Sequence, residues 1–456
     1  MKESILIARQ SFHFEKSLKF LVIALICALS AWGVYWAIGL AVDGSSWLLH
    51  ILRFNTFNDW DKVRLFANWI TQLPVILALK YGVHDINLLI RIHSFGLVSI
   101  PSFFWIWAML VQWNSDRFWY FLFAFSITYL NSGFQSVGEY NICYSMVALS
   151  ASLLQKDTQL KIRDYLILFF LSIALTCSYE SMAFLGVLLY FIAISRWLSS
   201  KSICREDSSF ARIMLLVLGM FYAMSVAIGA WFIVYPRLPS QLADAENIGP
   251  ALTSWPGIYS LFILFIYLFS SVSKNRHVKN IALGLGTIAS IGYLSKPSCW
   301  HYFWLYPKFR AITGVVLFFV LFFLSIRFFY FEQNQNEEKT QNHVHFISFL
   351  FFLSLLIPFS FTTRDLGQWF RQFETEVNSK IGLIPWEASS LSSSKLGKTF
   401  ACDHTNASLS VILRQDDTKA IVLASVTYKG WQPFDPKIKI YEIPRHFTKS
   451  KTLFND

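Results

Sequence analysis

Charged residues are the scarcest class of residue in this sequence. Asp, Glu, Lys and Arg together account for only 15% of the 456 residues, whereas hydrophobic residues account for 55%, and the mean hydropathy is +0.45. Soluble globular domains carry about 25% charged residues. This deficit of charge excludes an ordinary soluble enzyme and predicts a protein that crosses a membrane several times.

Several signatures of other protein classes are also missing. The sequence has no P-loop, GxSxG, HExxH or dinucleotide-binding fingerprint. Its six cysteines show no CxxC or other metal-site spacing. Four of them lie in or beside apolar runs, where we expect them to pack, and Cys299 and Cys402 are the two that could pair. The net charge of +11 comes from bases scattered among short loops, a pattern typical of topology signals, so nucleic acid is not an expected partner.

Long apolar runs take the place of these motifs. The first run, Phe20–Val42, contains no charge and is long enough to cross about 30 Å of hydrocarbon as a helix. Bases precede it and no cleavage signal follows it, which predicts a signal anchor. Reading the remaining runs in the same way predicts about eleven spans in all. They lie near residues 20–42, 87–112, 118–133, 141–154, 164–178, 181–195, 212–234, 257–273, 279–294, 311–330 and 343–362.

The distribution of bases orients these spans. The N-terminus and the loops near residues 156–163, 196–212 and 274–279 are basic, whereas the alternate loops hold acids and few bases. Because basic loops stay in the cytoplasm, this alternation predicts a cytoplasmic N-terminus in the cell membrane and an extracytoplasmic C-terminal tail.

The fold class follows from these spans and from two more polar segments. We expect an all-α polytopic membrane bundle over residues 1–362, including a long first outer loop at 43–86, and a small α+β extracytoplasmic domain over 363–456. The first outer loop carries amphipathic patterns that predict helices in the plane of the membrane interface. In the tail, the pattern predicts strands at Leu409–Leu413, Ala420–Thr427 and Ile438–Ile443 and a turn at Trp431–Pro436.

Three acids stand at the ends of different spans. Asp43, Glu139 and Glu180 all fall on the predicted outer side, and an ionisable group at membrane depth is a functional candidate because it is costly unless paired or wetted. We therefore predict a catalytic group of Asp43, Glu180 and Glu139 in an outward pocket. Asp43 would be a general base for an acceptor hydroxyl, and the glutamates would stabilise developing positive charge.

Each acid also has a purely structural interpretation. Asp43 precedes Gly44, so it could belong to a solvated turn that ends the first helix. Glu139 could belong to a turn that begins a helix, near the positive end of the helix dipole. Glu180 lies in the polar triplet Tyr179–Ser181, which interrupts one long apolar run and predicts a hairpin between two short helices.

Other polar residues on the predicted outer side are candidates for binding a substrate. Bases there run against the sidedness rule, so they could neutralise a phosphate leaving group, or bind lipid headgroups beside an aromatic belt. An amide or a phenol near the acids could hydrogen-bond a sugar. The substrate-binding candidates are Lys296, His301, Arg310, Arg237, Tyr179 and Gln135. The one cofactor considered is a divalent cation, Mg²⁺ or Mn²⁺, which the string Asp59-Trp60-Asp61 could hold, although such strings often arise by chance.

Taken together, the arrangement resembles the GT-C superfamily of membrane glycosyltransferases. The elements that carry the resemblance are a first span ending in Asp43, a long first outer loop, many short spans, further acids on outer loops and a C-terminal outer domain. The strings DGSSWLLHIL, FANWITQLPVILALKYG and GWQPFDP are similar to a group of bacterial multi-pass proteins labelled glycosyltransferase-like. The acidic pair common in the family's first loop is not present, because Asp43 is followed by Gly44.

The resemblance implies a lipid-linked sugar donor, such as a polyprenyl-phosphate hexose, and transfer to an envelope glycan, lipid or protein on the outer face of the membrane. It implies Asp43 as the base, by position. Two other functions stay open: a multi-pass transporter or flippase of a lipid-linked or anionic substrate, and a non-catalytic scaffold for envelope assembly. A transporter would favour broken helices and an internal repeat.

Overall fold

A computed structural model describes most of the chain: residues 2–59, 62–131, 138–198, 209–235, 254–273, 275–296, 306–331, 342–402 and 405–425, with 443–444, 446–449 and 453 near the C-terminus. Helices dominate these residues. The first eight are α1 (Lys2–Tyr35), α2 (Gly44–Phe54), α3 (Leu65–Lys80), α4 (Ile86–Ser94), α5 (Ile100–Val111), α6 (Arg117–Phe125), α7 (Gly138–Leu154) and α8 (Ile162–Thr176). The remainder are α9 (Met182–Leu198), α10 (Ser209–Val234), α11 (Trp255–Val272), α12 (Arg276–Leu294), α13 (Tyr306–Ile326), α14 (Asn342–Ser379), α15 (Lys395–Phe400) and α16 (Asn406–Leu413).

Five of these helical segments are long and apolar enough to cross a membrane. Within the described residues they are Phe14–Tyr35, Ile86–Val111, Ser209–Val234, Ile312–Phe329 and His343–Ser379. An α-helical membrane bundle is therefore supported, but the predicted count of about eleven spans is not. The difference arises because several apolar runs form helices shorter than the roughly 20 residues that a span needs. For example, α6 has 9 residues and α8 has 15.

The centre of the bundle explains two of these short helices. Every described side chain of α6 and of α7 from Glu139 onward is buried. A helix that is apolar on all sides is buried, either within a protein or within a membrane. The neighbours of α7 are α3, α5, α8, α9 and α13. Apolarity in these runs therefore reflects burial in protein, which a hydropathy pattern does not distinguish from contact with lipid.

The predicted interface helices of the first outer loop are present as α2 and α3, but they differ in what covers them. In α2 the apolar residues Trp47, Leu48 and Ile51 are buried within the protein, and α2 packs against α16 near the C-terminus. In α3, by contrast, Trp69 and Leu73 keep 41% and 45% of their surface exposed. The apolar surface available to a membrane interface is therefore on α3.

The C-terminal tail is tied to the bundle and contains little β-structure. Helix α14 runs unbroken from Asn342 to Ser379 and so crosses the predicted boundary at 362–363. Two short strands, β1 (Leu383–Ile384) and β2 (Ile421–Val422), pair in parallel. Among the described residues this pair is the only sheet, so an α+β domain is not established.

The strand predictions in the tail had three outcomes. The strand predicted at Leu409–Leu413 is wrong, because these residues form the last part of the buried helix α16. A short apolar run fits a buried helix as well as a strand. Within Ala420–Thr427 the structure describes residues 420–425, and of these only Ile421–Val422 is a strand. Ile438–Ile443, apart from its last residue, and the turn at Trp431–Pro436 lie outside the described residues.

Candidate functional site

A guanidinium group joins two of the predicted acids. Arg64 Nη1 donates to Glu139 Oε2 at 2.7 Å, and Arg64 Nη2 donates to Glu180 Oε1 at 2.6 Å. Arg64 Nε donates to the same Glu180 oxygen at 3.1 Å. The side chains of Arg64, Glu139 and Glu180 are only 15%, 4% and 17% exposed. We call these three residues the Arg64 cluster.

Three separate parts of the chain supply the cluster. Arg64 ends a 3₁₀ turn, Lys62–Arg64, that leads directly into α3. Glu139 lies in the first turn of α7, where the positive end of the helix dipole favours a carboxylate. Glu180 lies between α8 and α9, and the predicted hairpin between two short helices is thereby confirmed. The ends of these segments therefore meet at one end of the bundle.

Backbone contacts hold the α8–α9 hairpin at this position. The amide of Phe66, at the start of α3, donates to the carbonyl oxygen of Cys177 at 2.9 Å. On the other side, α10 approaches so closely that a Cβ on Gly229 would lie 3.0 Å from the carbonyl oxygen of Glu180. Only glycine allows this approach, so contacts with α3 and α10 together fix the position of the hairpin that carries Glu180.

Aromatic rings surround the guanidinium. The centroid of the Tyr179 ring lies 5.1 Å from Arg64 Cζ, within the range of a cation–π interaction. The rings of Tyr140 and Tyr144 lie 6.1 Å and 6.3 Å from that of Tyr179. These tyrosines are at least nine-tenths buried. Tyr179, a predicted substrate-binding residue, thus contacts the cluster and supports Arg64 from its ring face.

The charge of Arg64 is fixed. Burial lowers the pKa of Arg64, but Glu139 and Glu180 raise it more, and the net result is a pKa well above the ordinary value. Arg64 is therefore a permanent cation in direct contact with both glutamate side chains. Carboxylate groups held in this way can stabilise positive charge that develops beside them.

Asp43 is positioned by a different set of contacts. It directly precedes α2, and its carbonyl oxygen accepts hydrogen bonds from Ser46 Oγ at 2.7 Å and from the Trp47 amide at 3.0 Å. The preceding residue, Val42, has φ 48°, a left-handed conformation that is rare and strained for a β-branched side chain. Strain at the residue before a candidate base is a feature that active sites often show.

Helix α4 holds this strained segment in place. The buried His93 donates from Nε2 to the carbonyl oxygen of Gly44 at 3.1 Å, because a carbonyl can only accept. In the linker between α1 and α2, the Gly39 amide donates to Oγ of Ser94, the last residue of α4, at 3.2 Å. A Cβ on Gly39 would lie 2.7 Å from Ser94 Cα, so the linker lies directly on the α4 backbone. Asp43 is therefore a partly buried carboxylate on a fixed turn.

Among the remaining substrate-binding candidates, the structure describes the side chain of Lys296. Lys296 follows α12, is exposed, and has its Nζ 4.9 Å from the centroid of a Trp255 ring. Arg310 lies in α13. His301, Arg237 and Gln135 lie outside the described residues.

A divalent cation does not fit the Arg64 cluster, because the guanidinium already occupies the position between the two carboxylates. In the predicted metal string, Asp59 pairs with Lys62 at 2.7 Å, and Asp61 lies outside the described residues. One set of metal-type ligands does lie close together among the described residues, namely Glu15, Asp116 and His345. There the Lys19 ammonium is 2.8 Å from Glu15, so that position too is unfavourable for a cation.

Sequence reasoning missed Arg64. It belongs to the first outer loop, which was interpreted as acidic with few bases. The available signal was the same one that drew attention to Lys296, a base on the predicted outer side. Nothing in the sequence distinguishes Arg64 from the other bases of that loop, because its partners are distant in the chain.

Comparisons of the chain with protein-family models, with curated proteins and with solved structures each give no match. Function must therefore be argued from the geometry and chemistry of the residues themselves.

Proposed function

We propose that the protein is an integral membrane glycosyltransferase that moves a sugar from a polyprenyl-phosphate-linked donor to an envelope acceptor. One observation carries the proposal: the buried Arg64 cluster, where the segment after the first membrane span meets the start of α7 and the α8–α9 hairpin. A buried ionic group at the ends of membrane helices is expensive and marks a functional site by default.

In this proposal the end of the bundle that holds the Arg64 cluster faces the outside of the cell membrane. The N-terminus is then cytoplasmic and the tail extracytoplasmic, as the distribution of basic loops predicts. The lipid of the donor stays in the bilayer, and its sugar lies at the helix ends. The acceptor, which is a glycan, a lipid or a protein, approaches from outside.

The chemistry divides between Asp43 and the Arg64 cluster. A carboxylate oxygen of Asp43 takes the proton of the acceptor hydroxyl, whose oxygen attacks the anomeric carbon of the sugar. The bond from that carbon to the phosphate oxygen breaks, and polyprenyl phosphate leaves. Positive charge develops on the sugar ring in the transition state. The carboxylate groups of Glu139 and Glu180 stabilise this charge, and Arg64 holds both glutamates in position.

The test is donor turnover by the purified protein in nanodiscs. Radiolabelled polyprenyl-phosphate hexoses are incubated with the wild type, with Asp43→Asn and with Asp416→Asn, which makes the same exchange at an exposed acid of the tail. We expect turnover by the wild type and the control and a loss of at least about a thousandfold in Asp43→Asn. Full activity of Asp43→Asn in a folded preparation would show that Asp43 is not the base.

A second function, transport of a lipid-linked or anionic substrate, is favoured by one feature. Helices α8 and α9, with 15 and 17 residues, are shorter than a normal span and meet at a buried ionic group. Broken helices of this kind form binding sites in transporters. Binding of the lipid-linked hexose without release of polyprenyl phosphate, together with its movement between leaflets of a proteoliposome, would favour transport over transfer.

A further inference from the structure

A large apolar cavity lies beside α1, on the lipid-facing side of the two N-terminal membrane spans. Its volume is about 720 Å³, within the range of about 300–1,000 Å³ that small-molecule sites occupy. One wall is the face of α1 between Cys27 and Tyr35, and the other runs from Phe95 to Ile106 through the start of α5. Phe103, on the second wall, is 57% exposed, so the cavity opens sideways.

The three serines in these walls are already hydrogen-bonded within the protein. Ser30 Oγ donates to Ser99 Oγ at 2.7 Å across the cavity floor, and Ser102 Oγ donates to the carbonyl oxygen of Val98 at 2.8 Å. The walls therefore suit a hydrocarbon chain better than a polar ligand.

Arg91 is the only charged side chain among the residues that line the cavity. Its Nη1 donates to the carbonyl oxygen of Tyr35 at 3.0 Å, and its Nη2 donates to that of Leu453 at 3.3 Å. A guanidinium has five N–H donors, so these two bonds leave three available. Within the described residues Arg91 pairs with no carboxylate. No acid in the described part of the chain therefore neutralises the positive charge of Arg91 at the cavity.

The position of Arg91 matches that of a lipid headgroup. Tyr35 ends the span Phe14–Tyr35, and Arg91 lies near the start of the span Ile86–Val111, so both mark the same end of the two spans. At about 1.5 Å per residue, Cys27 lies about 12 Å from Tyr35 and Ile106 about 22 Å from Arg91. The cavity therefore extends from a charged end near the membrane interface into the apolar interior.

We propose that this cavity binds one anionic glycerophospholipid of the bilayer, with its phosphate on Arg91 and one acyl chain between α1 and α5. Charge complementarity and the hydrogen-bonded walls carry the proposal. The site is separate from the proposed reaction site. At about 100° per residue, the side chains of Arg91 and His93 point to nearly opposite faces of α4. His93 is the residue that contacts Gly44, which follows Asp43.

The experiment uses the full chain in nanodiscs that contain phosphatidylglycerol with a photoreactive group in one acyl chain. After illumination, labelled peptides are mapped by mass spectrometry. We expect labelling to concentrate on residues 27–35 and 100–106. Arg91→Gln should lower that labelling about tenfold, the loss expected for one charge-assisted contact. Ala31→Phe, which fills the cavity from an exposed position, should abolish it.

The controls separate this proposal from its alternatives. Arg163→Gln makes the same exchange at a side chain that is 71% exposed and outside the cavity, and it should leave the labelling unchanged. Thermal unfolding shows that each variant is folded. Labelling spread evenly over all spans, or unchanged in both cavity variants, would overturn the proposal.

Competition identifies the ligand. Excess unlabelled phosphatidylglycerol should remove the labelling, whereas inorganic phosphate and a diacylglycerol of the same chains should not. If polyprenyl phosphate competes at a much lower concentration than phosphatidylglycerol, the occupant is a prenyl carrier and the assignment to a phospholipid is wrong. Asp43→Asn should retain full labelling, so failure of the proposed transfer reaction and failure of this site are distinguishable.

Discussion

The ammonium group of Lys449 lies 2.8 Å from the carboxylate of Glu374, and the two side chains are only 1% and 3% exposed. The amide of Leu453 also donates to both oxygens of Glu374, at 3.0 Å each. On the opposite side of the segment, the Thr448 amide donates to the carbonyl oxygen of His84 at 3.0 Å. A buried ion pair therefore docks the C-terminal segment between α14 and the turn before α4.

Replacing Lys449 should release this segment. Lys449→Met leaves Glu374 buried without its cation, and breaking a buried pair in this way costs about 3–5 kcal/mol. We expect chymotryptic cleavage after Phe447 to accelerate about a hundredfold, because cleavage follows the population of the undocked form. Lys398→Met, the same exchange at an exposed lysine, is the control and should not change the rate. An equal rate in Lys449→Met and the wild type would mean that the ion pair does not hold the segment.

Docking of the segment should also depend on pH. Burial lowers the pKa of Lys449 below its ordinary value of 10.5, although Glu374 acts in the opposite direction. The docked form therefore binds fewer protons than the undocked form between the lowered pKa and 10.5, and raising the pH through this window favours docking. The measurement is the cleavage rate of Lys449→Met divided by that of the wild type, a ratio that cancels the protease's own pH dependence. We expect this ratio to grow between pH 7.5 and 10, and a ratio that falls would contradict the assigned direction.

The sequence predicted the helical membrane character of the chain and the α8–α9 hairpin because both depend on local patterns. Glu180 stands out from an apolar run whatever surrounds it. The span count could not be obtained in the same way. A run buried in protein and a run that faces lipid are both apolar, so an apolar pattern alone does not separate them. Leu409–Leu413 shows the same limit, because a short, mostly apolar run fits a buried helix as well as a strand.

The candidate site was predicted in part. The sequence predicts that Asp43, Glu139 and Glu180 converge. Glu139 and Glu180 do meet, at the guanidinium of Arg64, whereas the approach of Asp43 to them stays a prediction. Their common partner Arg64 was not expected, because its distance from both along the chain gives no sequence signal. The fixed turn at Asp43 depends on His93 and on the left-handed Val42, and neither a tertiary hydrogen bond nor a positive φ at valine can be inferred from residue type.

The left-handed conformation of Val42 leads to a prediction about stability and activity together. A non-glycine residue in this conformation costs roughly 1–2 kcal/mol, so Val42→Gly removes strain as well as a partly buried side chain. We expect its melting temperature to stay close to that of the wild type, while glycosyl transfer falls because Asp43 is held less rigidly. Val83→Gly is the matched control, since Val83 is also a partly buried loop valine and does not have positive φ. It should lower the melting temperature without the selective loss of transfer. Equal destabilisation by the two exchanges would show that Val42 stores no strain.

The Arg64 cluster should behave as one energetic unit. Arg64→Gln removes the guanidinium from two largely buried carboxylates and should lower the free energy of unfolding in detergent by about 3–5 kcal/mol. Arg64→Lys keeps the charge but loses the fork that reaches both glutamates, so its loss should be intermediate. Lys62→Gln, two residues away in an exposed pair with Asp59, should change stability by less than about 1 kcal/mol.

A double variant separates a coupled cluster from two independent pairs. In Arg64→Gln combined with Glu139→Gln, one of the two carboxylates that lost the guanidinium is replaced by a neutral amide, so the double variant should be more stable than Arg64→Gln alone. The two single losses should therefore exceed the combined loss by about 1–3 kcal/mol, the coupling expected for groups in direct contact. Chemical denaturation of the four proteins under one detergent condition gives this number. Strict additivity would mean that Arg64 and Glu139 do not interact across this junction, and the role proposed for the cluster would then be lost.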